Sequence, residues 1–308
     1  MIAPVISLVG RDFIDVADLA RTDLRRILDL AHEIKAGHWR ERPLAGRHVA
    51  MLFQRPSHRT RVSFEVGIAR LGGSTTTLTG QDVQLGFRES VADAARVLDQ
   101  YVDGVVARLR AHEDLLQLAR SSEKPVINAL TDRSHPCQVL ADLMTMEEVG
   151  GDLTTQQVVY IGDGNNIANS LIEASALAGF PLTVITPPGY DPQPGVVERA
   201  RSIGSGNFQV TLTNNITLDD ATVIYTDVWA SMGQEDERAV RQKVFSAYRV
   251  DQDLMEAAPR AVFMHCLPAH RGEEVTDQVI DGPRSVVFQQ AGNRLYAQMA
   301  LMAGLFAA

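Results

Sequence analysis

Apolar residues set a helical rhythm over residues 21–37, where Leu24, Ile27, Leu28, Ala31 and Ile34 fall on one face. Thr22 reads as the N-cap of this helix and Gly37 as its stop. The pattern then changes period. Residues 48–53 form a short apolar run that predicts a buried strand, and a second amphipathic helix is expected over 60–71 after a loop containing Pro56. Strands near Thr75 and over 104–108 and 125–128 alternate with helices from Ser90, from Glu113 and over 136–149. Strands that alternate with helices imply βαβ units and a mainly parallel sheet.

The polar, glycine-containing stretch 147–157 interrupts the series, and the alternation restarts beyond it. A strand is expected over 158–161, a helix over 167–178, and further strands over 182–186, 222–225 and 261–265. The last helix, near 291–305, is apolar nearly all round, which suits a helix packed between other elements. The predicted fold class is therefore α/β, with two doubly wound domains, each holding a mainly parallel sheet flanked by helices. Their expected limits are 1–148 and 149–289, with the C-terminal helix 290–308 packing back near the first.

The length of 308 residues suits two domains, and an apolar fraction of 45% with 22% charged residues is ordinary for a globular protein. A net charge of −9 argues against holding nucleic acid or anionic lipid by bulk electrostatics, although a few arginines can still grip one phosphate. The two cysteines, Cys137 and Cys266, lie in no C-x-x-C pattern, which gives structural zinc little support, and no metal or cofactor is expected. No apolar run approaches membrane-spanning length, and no secretory signal precedes Arg11 and Asp12. A cytoplasmic enzyme without membrane or nucleic-acid partners is expected.

Open α/β sheets bind ligands beyond the carboxyl ends of their strands. Four polar loops stand there. The run from Phe53 to Glu65 ends a strand and opens a helix through Ser57, His58, Arg59 and Thr60. Its helix N-terminus, hydroxyls and guanidinium suit a phosphate dianion, or else form a capped helix with solvated arginines. Arg108 closes a strand, either as a second phosphate ligand or as a surface residue. His135-Pro136-Cys137-Gln138 opens a helix and offers an imidazole and an amide, which suit an amide-like group unless they are satisfied locally. His265-Cys266-Leu267-Pro268 follows another strand, with Cys266 as nucleophile, hydrogen-bonding group or small core residue. Gly162-Asp163-Gly164 resembles a dinucleotide-binding turn, but Ile167 occupies the place of the third glycine. The next strand also ends at Thr186-Pro187 without an acidic residue.

Ser57-x-Arg59-Thr60-Arg61, His135-Pro136-Cys137-Gln138, Asp227-Val228-Trp229-Ala230-Ser231-Met232-Gly233 and His265-Cys266-Leu267-Pro268 occur in an order and spacing that resemble the ornithine carbamoyltransferases. The resemblance runs from Arg11-Asp12-Phe13 to Asn293-Arg294-Leu295. It implies transfer of the carbamoyl group of carbamoyl phosphate to the side-chain amine of L-ornithine, giving citrulline in arginine metabolism, without a cofactor. The first domain would bind carbamoyl phosphate and the second ornithine.

The same resemblance implies that Ser57, His58, Arg59 and Thr60 bind the phosphate, with Arg108 completing the clamp. His135 and Gln138 would hold the carbamoyl oxygen and amide, and Cys266, Leu267 and Arg294 would face carbamoyl phosphate. Asn166, Asp227, Ser231 and Met232 would bind ornithine. Arg59, His135, Asp227 and Cys266 would carry the catalysis. Gln84 would reach a neighbouring subunit's site, which goes with a homotrimer or a multiple of trimers. Three positions depart from the family pattern: His58 stands for a Thr, Leu109-Arg110 for a Thr-aromatic pair, and Gly292 for a Glu. The polar segment 227–241 reads either as a mobile lid or as a static acidic surface loop.

Overall fold

The computed structural model describes residues 7–80, 85, 89–204, 206–218, 220–230 and 235–307. They form two compact units. One runs to Met144 and resumes at Asn293, and the other spans Thr145–Gly292.

The first unit holds β1 (His48–Phe53), β2 (Ser74–Thr79), β3 (Gly104–Arg108) and β4 (Val126–Leu130), with α1 (Arg21–Lys35), α2 (His58–Arg70), α3 (Val91–Leu98) and α4 (His112–Ser121). Helix α5 (Pro136–Gly150) follows β4. All four strands are parallel, in the order β2-β1-β3-β4. Strands β3 and β4 are buried throughout, whereas β2, at the edge, is only partly covered and is serine and threonine apart from Leu78. The chain steps from β1 to β2 on one side and then crosses to β3 on the other. The winding therefore reverses between β1 and β3, and the loops after those two strands part there.

The second unit repeats the plan with β5 (Val158–Ile161), β6 (Pro181–Ile185), β7 (Gln209–Thr213), β8 (Val223–Thr226) and β9 (Val262–His265). Its helices are α6 (Asn166–Ala178), α7 (Pro194–Ile203), α8 (Arg238–Phe245), α9 (Gln252–Ala257) and α10 (Asp277–Ile280). The parallel order is β7-β6-β5-β8-β9, so this sheet reverses between β5 and β8. Both sheets agree with the α/β, doubly wound expectation.

The final helix, α11 (Val287–Leu305), is buried along most of its length. Within the first unit, Gly67 of α2 lies where a Cβ would come 3.2 Å from the Met299 side chain and 3.3 Å from that of Met302. The missing side chain lets α2 and α11 approach closely. Thr60, Phe64, Gly67 and Ile68 are the buried face of α2, so Thr60 points the same way as the glycine.

Some sequence readings need correction. Ala20, not Thr22, is the N-cap of α1, and no side chain caps it; Asp23 in the first turn is held instead by Arg11 at 2.9 Å. Gly37 does follow the helix, with φ of 76°. The polar stretch from residue 147 begins inside α5, and Leu153–Thr155 form a short 3-10 turn. Strand β7 was not evident because it is an exposed edge strand rich in threonine, without an apolar run.

Candidate active site

Ser57 caps α2, its hydroxyl accepting from the Thr60 N–H at 3.4 Å and donating to Thr60 Oγ1 at 3.0 Å. Thr60 Oγ1 also accepts from Arg294 Nη2 at 2.8 Å and from Arg108 Nη1 at 3.5 Å. Both arginines are buried. Thus residues from α2, β3 and α11 bring two guanidinium groups to one neutral oxygen beside a helix N-terminus. Two like charges so close are stabilised by an anion between them. Arg59 Nη1 lies 3.5 Å from His58 Nε2 at the more exposed side of the same turn.

His135 lies at the start of α5 and is buried. Burial, followed by the positive charges of Arg294, Arg108 and Arg59, pushes its pKa well below 6.5. The imidazole is therefore neutral at physiological pH, with one nitrogen able to donate to a carbonyl oxygen. Gln138, one turn along α5, donates through Nε2 to Asp142 at 2.8 Å. Its buried Oε1 has no hydrogen-bond partner among the described residues, which leaves an acceptor for an amide N–H. Cys137 packs in the core, donating to the Asn128 carbonyl at 3.2 Å, and burial pushes its thiol up to about 12.

In the second unit, the reversal between β5 and β8 places Asn165 opposite Asp227. Asn165 Oδ1 caps α6 by accepting from the N–H groups of Ile167 at 2.9 Å and Ala168 at 3.3 Å, and its Nδ2 donates to Asp227 Oδ2 at 2.8 Å. The other carboxylate oxygen of Asp227 accepts from the Cys266 thiol at 3.0 Å. Asp227 is buried and Cys266 half-buried. Asn166 is buried in the first turn of α6. Leu267 takes a φ of 56°, a left-handed conformation uncommon outside glycine, and its N–H donates to His265 Nδ1 at 2.8 Å.

Asp227, His265 and Cys266 also present potential metal-ligand atoms within 4.8 Å of one another. Both His265 nitrogens are already engaged, by the Leu267 N–H and by Glu274 at 3.2 Å, so a metal would have to displace one of these contacts. The glycines of the 162–164 turn have a local explanation. A Cβ on Gly164 would lie 2.3 Å from the Pro192 nitrogen, and Asp163 pairs with Arg241 at 3.0 Å. The chain's own backbone, rather than a dinucleotide, requires that turn.

Of the residues singled out in the sequence, Ser57, His58, Arg59, Thr60, Arg108, His135, Gln138 and Arg294 belong to the first unit, and Asn166, Asp227, Cys266 and Leu267 to the second. Gln84, Ser231 and Met232 lie outside the described residues. Of the suggested lid, residues 235–237 form a 3-10 turn leading into α8, where Arg241 is buried. The sequence reading missed Asn165, whose signal was an amide at the mouth of a helix directly before Asn166. Among the departures, Leu109 is buried, and the Arg110 N–H donates to Gln54 Oε1 at 2.8 Å, so this segment is held without an aromatic residue.

A model of the carbamoyl-P binding domain of the aspartate/ornithine carbamoyltransferases matches residues 11–148, and a model of their Asp/Orn binding domain matches residues 154–305. The ornithine carbamoyltransferase of Thermococcus kodakarensis is 50% identical over 306 residues, 97% of each chain. An anabolic ornithine carbamoyltransferase of Pyrococcus furiosus is 49% identical over 308 residues, again 97% of each. Among solved structures, ornithine carbamoyltransferase from Pyrococcus furiosus matches with a TM-score of 0.92 at 47% identity, covering 99% of both chains. Ornithine transcarbamoylase from Giardia lamblia matches with a TM-score of 0.88 at 30% identity, covering 97% of this chain and 98% of that one. Both halves of the chain match the family and about half of its residues coincide with those of relatives named ornithine carbamoyltransferase, so it belongs to the aspartate/ornithine carbamoyltransferase family and, within it, to the ornithine carbamoyltransferases.

Proposed function

We infer that this chain transfers the carbamoyl group of carbamoyl phosphate to the side-chain amine of L-ornithine, forming L-citrulline and phosphate in arginine biosynthesis. The observation that carries the reading is the meeting of Arg108 and Arg294 on Thr60 beside a neutral His135. The positive charge suits the phosphate, and the uncharged imidazole suits the carbonyl next to it.

In this reading the unit containing residues 1–148 and the C-terminal helix 290–308 binds carbamoyl phosphate, and residues 149–289 bind ornithine. Ser57, His58, Arg59 and Thr60 hold the phosphate with Arg108 and Arg294. His135 donates to the carbamoyl oxygen, and Gln138 accepts from the carbamoyl amide. Asn166, Asp227, Ser231 and Met232 hold the amino acid, while Cys266 and Leu267 face the reacting carbon.

An alkyl ammonium titrates near 10, so ornithine must lose its side-chain proton before it attacks. Asp227, fixed by Asn165 and Cys266, positions that amine and assists the loss. The amine nitrogen then bonds to the carbamoyl carbon, and the developing oxyanion is stabilised by His135, Arg59 and Thr60. Collapse of the tetrahedral intermediate breaks the carbon–oxygen bond to phosphate, whose charge Arg59 and Arg108 take up, and the nitrogen loses its second proton.

The active form is a cytoplasmic homotrimer or a multiple of it, with Gln84 lent to the neighbouring subunit. Val62 and Val66, one turn apart on α2 and 54% and 37% exposed, supply apolar surface for such a contact. Among the described residues no helix is long and apolar enough to cross a membrane.

Colorimetric detection of the ureido product formed from carbamoyl phosphate with ornithine (citrulline), putrescine or acetylated ornithine tests the reading. Ornithine should be preferred, and His135→Ala should lose about 2.7–4 kcal/mol of transition-state stabilisation. Turnover with putrescine alone, or full activity in His135→Ala, would overturn it.

A further inference from the structure

We propose that His112 is a positioning residue for the carbamoyl-phosphate side of the reaction, tying the loop that ends in His135 to the segment that follows Arg108. The proposal rests on the functional reading above. His112 touches none of the groups assigned to substrate. It is the first residue of α4, it is buried, and its backbone and ring both engage the loop between β4 and α5.

The His112 N–H donates to Asp132 Oδ1 at 3.0 Å, and ring Nδ1 lies 3.0 Å from Thr131 Oγ1. Thr131 Oγ1 also accepts from the N–H groups of Arg133 at 3.4 Å and Ser134 at 3.3 Å. With the Thr131 hydroxyl donating to Nδ1, the proton of the neutral imidazole sits on Nε2, 3.9 Å from the Asp15 carboxylate. The charged groups around the ring are Asp15, Asp18, Asp132 and Arg133, and burial outweighs the three carboxylates, lowering the His112 pKa from 6.5. The neutral ring needed to accept from Thr131 is thus the favoured one.

The same segment is stitched on both sides. The Leu109 N–H donates to the Leu130 carbonyl at 3.1 Å, and the Asp132 N–H to the Arg110 carbonyl at 3.0 Å. The Arg110 N–H reaches Gln54 Oε1 at 2.8 Å, and the Gln54 N–H reaches the Arg108 carbonyl at 3.1 Å. Loops after β1, β3 and β4 are therefore cross-linked just behind Ser57, Arg108 and His135. The His112 ring is the side-chain clasp of that weave, and Thr131 N–H to Ser134 carbonyl, at 2.9 Å, passes its hold on to the residue before His135.

The test uses four variants of the whole chain: His112→Phe, which keeps a flat ring without an acceptor; His112→Asn, whose amide oxygen can stand in for Nδ1; Thr131→Val; and the His112→Phe/Thr131→Val double. His112→Phe and Thr131→Val should each lower kcat/KM for carbamoyl phosphate by about tenfold to a hundredfold, the scale of losses from slight misplacement. The KM for ornithine should stay within about twofold. His112→Asn should recover most of the loss, and the double variant should be no worse than the poorer single. Wild-type kinetics in His112→Phe, no recovery in His112→Asn, or additive losses in the double would overturn the proposal, as would losses that only track melting temperature. If the unmodified protein makes no citrulline, the functional reading fails by itself. The rise in melting temperature caused by inorganic phosphate then reports the clasp, and an equal rise in His112→Phe and wild type would sink it.

Discussion

Arg294 and Thr60 are 234 residues apart in sequence and share a hydrogen bond of 2.8 Å. The contact exists because Gly67 lets α11 lie close against α2, so that the start of the C-terminal segment overhangs the capped turn of α2. Arg294 is further steadied by its neighbour, since Asn293 Oδ1 accepts from Lys35 Nζ at 2.7 Å. Charge-assisted bonds of this kind are worth about 1.5–3 kcal/mol. Replacing Arg294 by Leu should therefore raise the KM for carbamoyl phosphate by about tenfold to a hundredfold while leaving the KM for ornithine nearly unchanged. Steady-state kinetics with each substrate varied in turn will show it. A selective rise in the ornithine KM would contradict the placement.

His135 predicts a particular acid sensitivity. In the folded chain its pKa lies well below 6.5 because of burial and three guanidinium groups, whereas the unfolded chain titrates near 6.5. Between those values the unfolded state binds the extra proton. The stabilising effect is therefore complete above 6.5 and is lost as pH falls toward the folded value. Asp163 acts in the opposite sense. Burial raises it from 3.8 to about 6 despite Arg241, so its contribution is present below 3.8 and is lost as pH rises through about 6. Melting temperatures recorded from acid to neutral pH should fall less on acidification in His135→Gln than in the wild type, and more in Asp163→Asn. Identical slopes in all three proteins would refute both assignments.

The two thiols should differ sharply toward alkylation. Cys137 is fully buried with its pKa near 12, whereas Cys266 is half-buried at the mouth of its strand beside Asp227. One thiol per native chain should react with iodoacetamide, and peptide mapping should find it at Cys266. Modification at Cys137 without unfolding would show that α5 packs differently.

The sheets and the loops at their carboxyl ends were legible because parallel strands buried on both faces leave apolar runs, and because ligand loops must follow them. Position singled out Arg108, at the end of such a run, and His135, in the loop beyond another, but left each with a bland alternative that only the family resemblance set aside. The edge strand β7 could not, since a strand exposed to solvent has no apolar signature. The pairing of Thr60 with Arg294 depends on two helices meeting through Gly67, a relation between distant segments that no local pattern encodes. Asn165 was hidden for a further reason. Its capping role looks like that of any helix-opening amide, and only the strand order, with β5 beside β8, turns its free end toward Asp227.

That geometry makes Asn165 the sharpest test of the amino-acid side. One amide does two jobs: Oδ1 secures the first N–H groups of α6, and Nδ2 orients the carboxylate that also accepts from Cys266. Asn165→Asp keeps a capping oxygen but replaces the donor with a negative charge facing Asp227. The helix should survive, with a melting temperature close to wild type, because aspartate caps about as well as asparagine. The second carboxylate should repel that of Asp227 and spoil it as a fixed partner for the amine. Turnover should drop by about tenfold or more and its acid limb should move to higher pH. Asn165→Ala, which loses the cap as well, should cost about 1 kcal/mol of stability in addition to a loss of turnover. Calorimetry and kcat-against-pH profiles separate the two effects. If Asn165→Asp turned over at the wild-type rate with an unmoved profile, the hydrogen bond to Asp227 would be structural only, and the amine would have to be positioned by other groups.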